Sequence, residues 1–410
     1  MLLAVALFLA PVGVSAEEGA SSPDSQGSSD EAPRDTLDDP MRGAAISPAR
    51  GGGDSGVKVS GNLRDNQRWT LEFGGLIRTR YTHIQADPQH QLFGRNDGFT
   101  LSDARFITRG TLDSNLGFVL SFDAGSRIVR TTPDSPVDRL AARMTDTYLF
   151  YSPFEFLELS AGQFKAPFDL EDLISTSSLL FVNRSVTNRG VQGVEGFNVE
   201  GLSQDRQIGV RAQGQIFFLS EDNEAEGPGV GYGLAIANGN GPNVSMNNNN
   251  RLAYYSRLSL HWGEMVSIGG GLFHNDSTLG DPPSQVDRLR WGWTADLLVS
   301  AYNATLFANI VSRQQETPEL PQDPEVQSMG FQVQVAYEEP FFGFQPTYRF
   351  AYYNPDSELA DRALTHHTMG LNYNAANLPL RLMANYTIAL EEEALQMDNN
   401  RLDLLLQLTW

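Results

Sequence analysis

From residue 70 to its end, the chain alternates between apolar and polar positions in segments of about ten residues. The final segment is the clearest example, because alternate positions of a strand point to opposite faces. One face carries the apolar side chains Leu402, Leu404, Leu406, Leu408 and Trp410. The other carries Arg401, Asp403, Gln407 and Thr409, with Leu405 as an apolar exception. This pattern is typical of the closing strand of an outer-membrane barrel, and the last strand of a soluble β-sandwich remains the alternative.

Sixteen segments share the two-residue period, and we predict that each is a β-strand. They are residues 70–84, 99–112, 115–125, 143–151, 156–165, 206–218, 229–239, 250–261, 265–275, 288–299, 303–313, 327–339, 343–354, 364–374, 379–390 and 400–410. Most are long enough to cross a bilayer at a tilt.

The connections between these segments alternate in length. Tight links lie at 113–114, 152–155, 262–264, 300–302, 340–342 and 375–378. Longer polar links lie at 85–98, 126–142, 166–205, 240–249, 276–287, 314–326, 355–363 and 391–399. Link 219–228 falls where a short turn is expected, but it is long. One explanation is that the strands on either side of it are misplaced. Because outer-membrane barrels have short turns at one end and long loops at the other, we predict an all-β fold, a 16-stranded antiparallel transmembrane β-barrel.

The chain divides into three predicted regions. Residues 1–16 read as a secretory signal peptide, with an apolar core followed by small residues at Val14–Ala16. Residues 17–56 are predicted to be a disordered acidic periplasmic leader, because a segment rich in Ser, Gly, Pro and Asp buries too little apolar surface to fold. Residues 57–410 are predicted to form the barrel, in the bacterial outer membrane.

Charge is distributed unevenly along the chain. The formal net charge is −21, and the leader and long loops carry most of it. The predicted strands are close to neutral, and their positive charge is almost entirely arginine. An acidic chain without a basic surface is not expected to bind nucleic acid. The absence of cysteine excludes disulfides and thiolate metal sites.

Arginines recur on the polar, predicted inner face of the strands. Those proposed to line a pore and bind anions are Arg78, Arg80, Arg105, Arg109, Arg211, Arg257, Arg290, Arg349 and Arg381. Arginine offers a planar fork of donors suited to phosphate or carboxylate, and rings of cationic side chains favour anions in a pore. The alternative is that these arginines only neutralise inner carboxylates, namely Asp123, Asp146, Glu158 and Asp296.

The link at 166–205 is the longest and the best candidate for narrowing a pore. A connection of this length without a function would be unusual. Folded inward as loop 3 of the barrel, it would place Lys165, Arg184 and Arg189 at a constriction. The alternative is a surface loop across the mouth of the barrel.

Two motifs at this link resemble a known family. The run Ala161-Gly-Gln-Phe-Lys-Ala-Pro-Phe-Asp-Leu-Glu-Asp-Leu-Ile-Ser175, followed by Phe181-Val-Asn-Arg-Ser185, resembles the phosphate-selective porin O and P family. The resemblance implies a sixteen-stranded, trimeric barrel that passes anions, with phosphate or polyphosphate bound in the better-known members. Those members line the pore with lysines, whereas this chain has only Lys58 and Lys165, so arginine would have to substitute.

The sequence therefore predicts an outer-membrane porin for passive diffusion of small hydrophilic, preferentially anionic solutes, and not an enzyme. The histidines are scattered without metal-ligand spacing, no nucleophile elbow or P-loop occurs, and no metal or cofactor is expected. Expected partners are the solutes, outer-membrane lipid, two further copies of the chain in a homotrimer, and the barrel-assembly machinery, which would engage the C-terminal strand ending at Trp410. The alternative function is a structural or adhesive barrel with a plugged lumen and acidic surface loops.

Overall fold

The computed structural model describes residues 57–410 apart from 63–66, 91–93, 95–96, 114, 133–134, 219–226, 281–282, 319–324, 376–377 and 393–395. The predicted signal peptide at 1–16 and leader at 17–56 lie outside the described residues. The strands of the described part are β1 Val57–Asn62, β2 Arg68–Ile84, β3 Gly98–Leu112, β4 Leu116–Asp123, β5 Ser126–Thr132, β6 Ser135–Leu140, β7 Arg143–Phe154, β8 Leu157–Lys165, β9 Gly190–Val191, β10 Val199–Glu200, β11 Arg206–Phe217, β12 Pro228–Ala237, β13 Ala253–Trp262, β14 Val266–Leu279, β15 Val286–Ala301, β16 Ala304–Glu316, β17 Val326–Tyr337, β18 Phe344–Asn354, β19 Leu364–Asn374, β20 Leu380–Glu391 and β21 Arg401–Thr409.

Sixteen of these described strands form one closed antiparallel barrel: β2, β3, β4, β7, β8 and β11 to β21. Each pairs with the next barrel strand along the chain, and β2 pairs with β21, from Leu76 opposite Thr409 to Ile84 opposite Arg401. The predicted 16-stranded barrel is confirmed, and the predicted strands differ from the observed ones by only a few residues at their ends. The closure leaves neither β2 nor β21 as a free edge inside the membrane, where an unpaired edge is not tolerated.

The alternation along each strand sorts apolar side chains outward and polar side chains inward. In β17, Met329, Phe331, Val333, Val335 and Tyr337 are exposed on the outer face. The inward positions between them are buried: Ser328, Gly330, Gln332, Gln334 and Ala336. A soluble β-sandwich would have the opposite arrangement, because its apolar face would be the buried one. This polarity is that of a cylinder with hydrocarbon outside and polar groups within.

Leu405, the apolar exception on the last strand, faces inward. It is buried in a small cluster with Val182 and Met383. Val182 belongs to the long link at 166–205, so the irregularity in the alternation marks a place where that link contacts the wall.

The chain end completes the barrel seam. Gly75 and Trp410 exchange both backbone hydrogen bonds, with N–O distances of 2.7 and 3.1 Å. The Trp410 indole covers Gly75, where an added Cβ would lie 2.2 Å from an indole carbon. Gly75 therefore leaves the space that the terminal aromatic ring fills.

The two ends of the barrel differ as predicted. The turn between β15 and β16 contains only Tyr302 and Asn303, both with positive φ angles of 52° and 61°, as a tight type I′ hairpin requires. Aromatic side chains are exposed around this short-turn rim: Phe154, Phe156, Phe218, Trp262, Tyr302, Phe341 and Phe342. Aromatic residues concentrate at the membrane–water interface, so this rim marks one boundary of the hydrocarbon layer.

The long link between β11 and β12 does not result from misplaced strands. β11 ends at Phe217 and β12 begins at Pro228, so this connection at the short-turn end is long in the structure as well. Its residues 219–226 lie outside the described part of the chain.

Five of the described strands were not predicted, and two of them, β9 and β10, are two-residue strands within the link at 166–205. The other three are longer. β1 pairs with Arg68–Phe73 of β2, beyond the point where β21 ends, and β5 and β6 form a hairpin in the long link after β4. Each is only six or seven residues long, too short for its alternation to stand out. The described helices α1 Leu170–Leu173 and α2 Val186–Arg189 are single turns, and no described helix is long and apolar enough to cross a membrane.

Replacing Gly75 with Val should prevent stable closure, because the added side chain would displace the Trp410 ring from the seam. We expect the variant to lose the slow-migrating folded band on unheated SDS gels, the usual signature of an intact barrel. The matched control is Thr79→Val, which places the same side chain at an exposed outward position of β2. A folded band as strong in Gly75→Val as in the control would refute the role of this contact.

Candidate functional site

Residues 166–205, here called the inward segment, connect β8 to β11 and pack against the inner wall of the barrel. One apolar cluster joins Phe168, Val186, Val191 and Leu202 of the segment to wall residues that include Tyr255, Phe273, Val311 and Tyr353. A second joins Leu170, Ile174, Leu179, Leu180 and Phe181 to Leu298, Phe307 and Ala336. These contacts remove apolar surface from water, which stabilises the segment by about 25 cal/mol per Å² buried.

Three buried carboxylates organise the inward segment. Glu171 accepts hydrogen bonds from the Ser185 amide at 2.8 Å, the Ser185 hydroxyl at 2.6 Å and the Gln332 amide of β17 at 2.5 Å. Asp172 accepts from Asn188, Ser203 and the Gln204 amide, at 2.6 to 3.0 Å. Asp169 accepts from Asn309 of β16 at 2.8 Å. The carboxylates thus join the two halves of the segment to each other and to the wall.

Cationic side chains of the barrel wall donate to backbone carbonyls of the inward segment. The arginine contacts are Arg78 to Val182 at 2.8 Å, Arg257 to Phe168 at 2.9 Å, Arg313 to Gly201 at 3.0 Å, Arg349 to Asn183 at 2.9 Å and Arg381 to Leu179 at 2.8 Å. Lys165 donates to the carbonyls of Leu173 and Ile174 at 2.9 and 3.2 Å. A segment with only single-turn helices and two-residue strands leaves many carbonyls unpaired, and these charged donors satisfy them.

Two wall glycines permit the close approach of the segment. A Cβ at Gly271 would lie 2.7 Å from the Phe168 carbonyl oxygen, and one at Gly330 would lie 2.5 Å from Thr187. Since both positions face the lumen, any larger residue would push the segment away from the wall.

A cavity of about 690 Å³ lies between the inward segment and the wall formed by β2, β3 and β21. Of the described residues that line it, nine are basic and six are acidic, which gives a formal net charge of +3. A smaller cavity of about 350 Å³ lies on the other side of Glu200, against the wall that carries Arg288 and Arg290. The whole chain is acidic, but the described lining of the larger cavity is positive, and that of the smaller cavity is formally neutral.

The structure separates the predicted pore residues into three groups. The larger cavity is lined by Arg78, Arg80, Arg105, Lys165, Arg184 and Arg189. The smaller cavity is lined by Arg290. The remaining five are absent from the described lining of both cavities: Arg109, Arg211, Arg257, Arg349 and Arg381.

The five arginines outside the cavities have structural partners. Arg257, Arg349 and Arg381 donate to the inward segment, as described above. Arg109 stacks on the Phe150 ring at 4.4 Å, and Arg211 stacks on the Phe164 ring at 4.8 Å. These contacts place the five guanidinium groups against other parts of the protein, and their predicted role in lining a pore stays a prediction.

The inner carboxylates named from the sequence all lie within ion-pair distance of an arginine. Asp296 forms a two-pronged pair with Arg257, with both N–O distances 2.7 Å, and Asp146 pairs with Arg206 at 2.8 Å. Asp123 lies 3.6 Å from Arg105 and from Arg143, and Glu158 lies 3.6 Å from Arg211. The pairs run along the wall between nearby strands and do not cross the lumen.

Comparisons with known proteins agree with this geometry. Residues 77–244 match a family model described as phosphate-selective porin O and P. By this match and its fold, the chain is an outer-membrane porin. The family resemblance inferred from the motifs at 161–185 is therefore confirmed, and the location is the bacterial outer membrane.

Solved structures of low sequence identity share the barrel fold. The anion-selective porin from Comamonas acidovorans is 13% identical, with a TM-score of 0.59 over 83% of this chain and 100% of that one. OmpF of Salmonella typhi, solved with daunomycin, is 12% identical, with a TM-score of 0.56 over 83% and 98%. The channel DcaP of Acinetobacter baumannii is 12% identical, with a TM-score of 0.54 over 86% and 100%. No curated protein sequence matches the chain.

Several residues of this porin site were not selected from the sequence. Arg143, Arg206 and Arg401 line the larger cavity, and Glu195 bridges Arg189 and Arg401 there. Arg401 was already assigned to the inner face by alternation, so its position was predictable. Glu195 and Glu200 lie in the irregular inward segment, where no periodicity indicates which side chains face the lumen.

A serine–histidine contact also lies inside the porin. Ser259 Oγ and His261 Nε2 of β13 are 2.8 Å apart. Both residues are buried, with 3% and 4% of their surface exposed, and neither is among the described lining residues of the two cavities. In the described residues, no group of three or more His, Asp or Glu is arranged to hold a metal ion.

Glu171→Ala should release the inward segment from the wall, because it leaves two donors of Ser185 and one of Gln332 without an acceptor. Each unsatisfied buried donor costs about 1–3 kcal/mol. We expect faster protease cleavage within 166–205 and larger, noisier single-channel conductance, in a barrel that still migrates as folded. Glu264→Ala, in an exposed turn, is the control. Cleavage and conductance equal to those of the control would show that Glu171 does not hold the segment.

The inward segment should also respond to pH through Asp169. Burial and the neighbouring carboxylates of Asp172 and Glu171 raise the pKa of Asp169 from 3.8 to about 7. A raised carboxyl pKa favours the packed state at low pH, and this contribution is lost as the pH rises towards 7. Asp169→Asn should therefore raise the apparent unfolding temperature in detergent at pH 8 and have little effect at pH 4.

Asp361→Asn, in an exposed loop, controls for the loss of one carboxylate at the same two pH values. An equal gain for Asp169→Asn at pH 4 and pH 8 would show that titration of this carboxylate is not the cause.

Proposed function

We propose that this porin passes small hydrophilic solutes by passive diffusion and prefers anions, with phosphate or polyphosphate as candidate solutes by family resemblance. The observation that supports the preference is the net charge of +3 on the described lining of the larger cavity, in a chain whose overall charge is −21. A fixed positive potential in a narrow, low-dielectric passage attracts anions and repels cations. The anion-selective porin from Comamonas acidovorans has the same fold, which is compatible with the proposal but does not establish it.

In the proposed path, solutes move between the inward segment and the wall of β2, β3 and β21. Arg80 and Arg184 are half-buried and line this space. Arg80 donates to the Asn183 side chain at 2.7 Å, and Arg184 donates through Nη2 to the Ile174 carbonyl at 2.7 Å. Within the described part of the chain, neither donates a hydrogen bond to a carboxylate, so their charges are available to passing anions. Arg189 contributes less, because Glu195 binds it at 2.6 and 2.8 Å.

The proposal extends to assembly and chemistry. The solved structures with this fold include a trimer form of OmpT from Vibrio cholerae, which supports a homotrimer here. The exposed outer face would contact outer-membrane lipid, and the last strand with Trp410 would engage the barrel-assembly machinery. Diffusion breaks no bond, so no catalytic residue and no cofactor is required.

A plugged structural or adhesive barrel is the second candidate. The apolar cluster of Leu170, Ile174, Leu179, Leu180 and Phe181 against the wall favours it, because this part of the lumen is filled. Single-channel recording separates the two functions, since a plugged barrel gives no conductance steps in a planar bilayer.

Reversal potentials in a potassium chloride gradient should show anion preference for the wild-type porin. The double variant Arg80→Gln with Arg184→Gln removes two positive charges from the cavity and should reduce the anion-to-cation permeability ratio several-fold. Arg251→Gln, on an exposed loop at the same end of the barrel, should leave it unchanged. Cation preference in the wild type, or equal ratios in the double variant and the control, would contradict the proposed selectivity.

A further inference from the structure

Three arginines surround a single glutamate at the long-loop end of the barrel. Arg288 and Arg290 of β15 and Arg313 of β16 lie 3.4, 3.4 and 3.5 Å from the Glu200 carboxylate. Three positive charges face one negative charge, so this cluster keeps an excess of two positive charges. Glu200 lines both the larger and the smaller cavity, as do Ser203 and Asp205.

The contacts to Glu200 are loose compared with the permanent ion pairs of the wall. Charge-assisted hydrogen bonds are usually 2.7–2.9 Å long, as in the buried Arg257–Asp296 pair at 2.7 Å. The Glu200 side chain is 54% exposed, whereas the three guanidinium side chains are only 6–16% exposed. The Nε atoms of all three arginines are buried without a hydrogen-bond partner. The arginines are therefore fixed and incompletely satisfied, and the carboxylate is the movable partner.

The backbone beneath Glu200 is anchored independently of its side chain. The Tyr353 hydroxyl donates to the Glu200 carbonyl, and Arg313 donates to the Gly201 carbonyl at 3.0 Å. The carboxylate can consequently swing away from the arginines while the segment stays in place. The guanidinium groups of Arg313, Arg288 and Arg290 lower the pKa of Glu200 despite its partial burial, so it is an anion at neutral pH.

The smaller cavity provides room beside this cluster. It has a volume of about 350 Å³, and Arg288 and Arg290 line it together with polar side chains that include Gln204, Gln207, Ser277 and Thr278. Two carboxylates also line it, Glu200 and Asp205, and Asp205 pairs with Arg206 at 3.3 Å. Once Glu200 moves aside, two guanidinium groups and several neutral hydrogen-bonding groups converge on this space, which is the chemistry that recognises an oxyanion.

We propose that Arg288, Arg290 and Arg313 form a binding site for a small oxyanion, phosphate or carboxylate, and that Glu200 occupies this site as an internal competitor until the solute displaces it. The solute oxygens would take the place of the glutamate oxygens, with no covalent change. Exchange of one anion for another avoids leaving the three charges unpaired, and it keeps solute binding weak enough for release into the pore. This inference extends the proposed anion preference to a defined site.

The site is tested by the block of chloride current in planar bilayers. Phosphate or succinate is added at constant ionic strength on the long-loop side to wild type, Glu200→Gln and the control Glu358→Gln. Glu358 is an exposed acidic loop residue whose replacement removes the same charge. We expect the half-blocking concentration of at least one of the two anions to fall several-fold in Glu200→Gln and to stay at the wild-type value in Glu358→Gln.

The anion with the larger gain identifies the solute class, and equal gains indicate a general oxyanion site. Adding Arg288→Gln and Arg290→Gln to Glu200→Gln should abolish the gain, in a barrel shown to be folded by its gel mobility. The inference is overturned if Glu200→Gln blocks like wild type with both anions, or if its gain survives the loss of the two arginines.

Calorimetric titration of the detergent-solubilised porin with phosphate and succinate separates this inference from the proposed function. Tighter binding to Glu200→Gln in a pore without anion preference would support the site and contradict the function. If the pore prefers anions but Glu200→Gln binds both anions like wild type, the result would support the function and contradict the site.

Discussion

Closure of the backbone hydrogen-bond network between β2 and β21 is the constraint on which the rest of the structure depends. Hydrocarbon offers no partner for a free N–H or C=O group, and an unpaired strand edge in the membrane would cost several kcal/mol per group. The Gly75–Trp410 pair ends this seam, with the indole seated where the glycine lacks a side chain. Once the sheet is closed, every strand has an inside and an outside, and the two-residue alternation assigns each side chain to one of them.

The outside of the barrel must present apolar side chains to hydrocarbon, whereas the inside must accommodate charged groups. It contains many charged groups in a narrow space, and each must find a partner or remain in contact with water. Carboxylates on neighbouring strands neutralise part of the arginine set, and carbonyls of the inward segment accept hydrogen bonds from another part. The segment is therefore held by the same residue type that gives the lumen its positive charge. In the proposed function, arginines therefore have two tasks, since some hold the segment in place and others supply the positive charge of the larger cavity.

The proposed site at Glu200 and the wall arginines combines solute binding with solute release. A pore that binds its solute too tightly does not conduct, and one that does not bind cannot select. A tethered carboxylate that shares three guanidinium groups weakens solute binding without removing the positive charges. The buried Arg257–Asp296 pair, by contrast, has no exposed partner to exchange, and Arg257 also donates to the Phe168 carbonyl of the inward segment.

The sequence by itself determined the architecture. Alternation predicted the sixteen barrel strands within a few residues of their ends, because a side chain facing lipid and one facing the lumen need opposite polarity at every position of a crossing strand. It also assigned Arg78, Arg290 and Arg381 correctly to the inner face. It missed β1, β5, β6, β9 and β10, which are too short for a period to stand out.

Only the tertiary structure decided what each inner arginine contacts. Arg381 and Arg80 have the same alternation signature, yet Arg381 is buried against the Leu179 carbonyl and Arg80 lines the cavity. The difference arises from the path of residues 166–205, which follows apolar packing, three buried carboxylates and the space above Gly271 and Gly330. These contacts join residues distant in the sequence, and an irregular segment has no period from which its exposed and buried faces can be read.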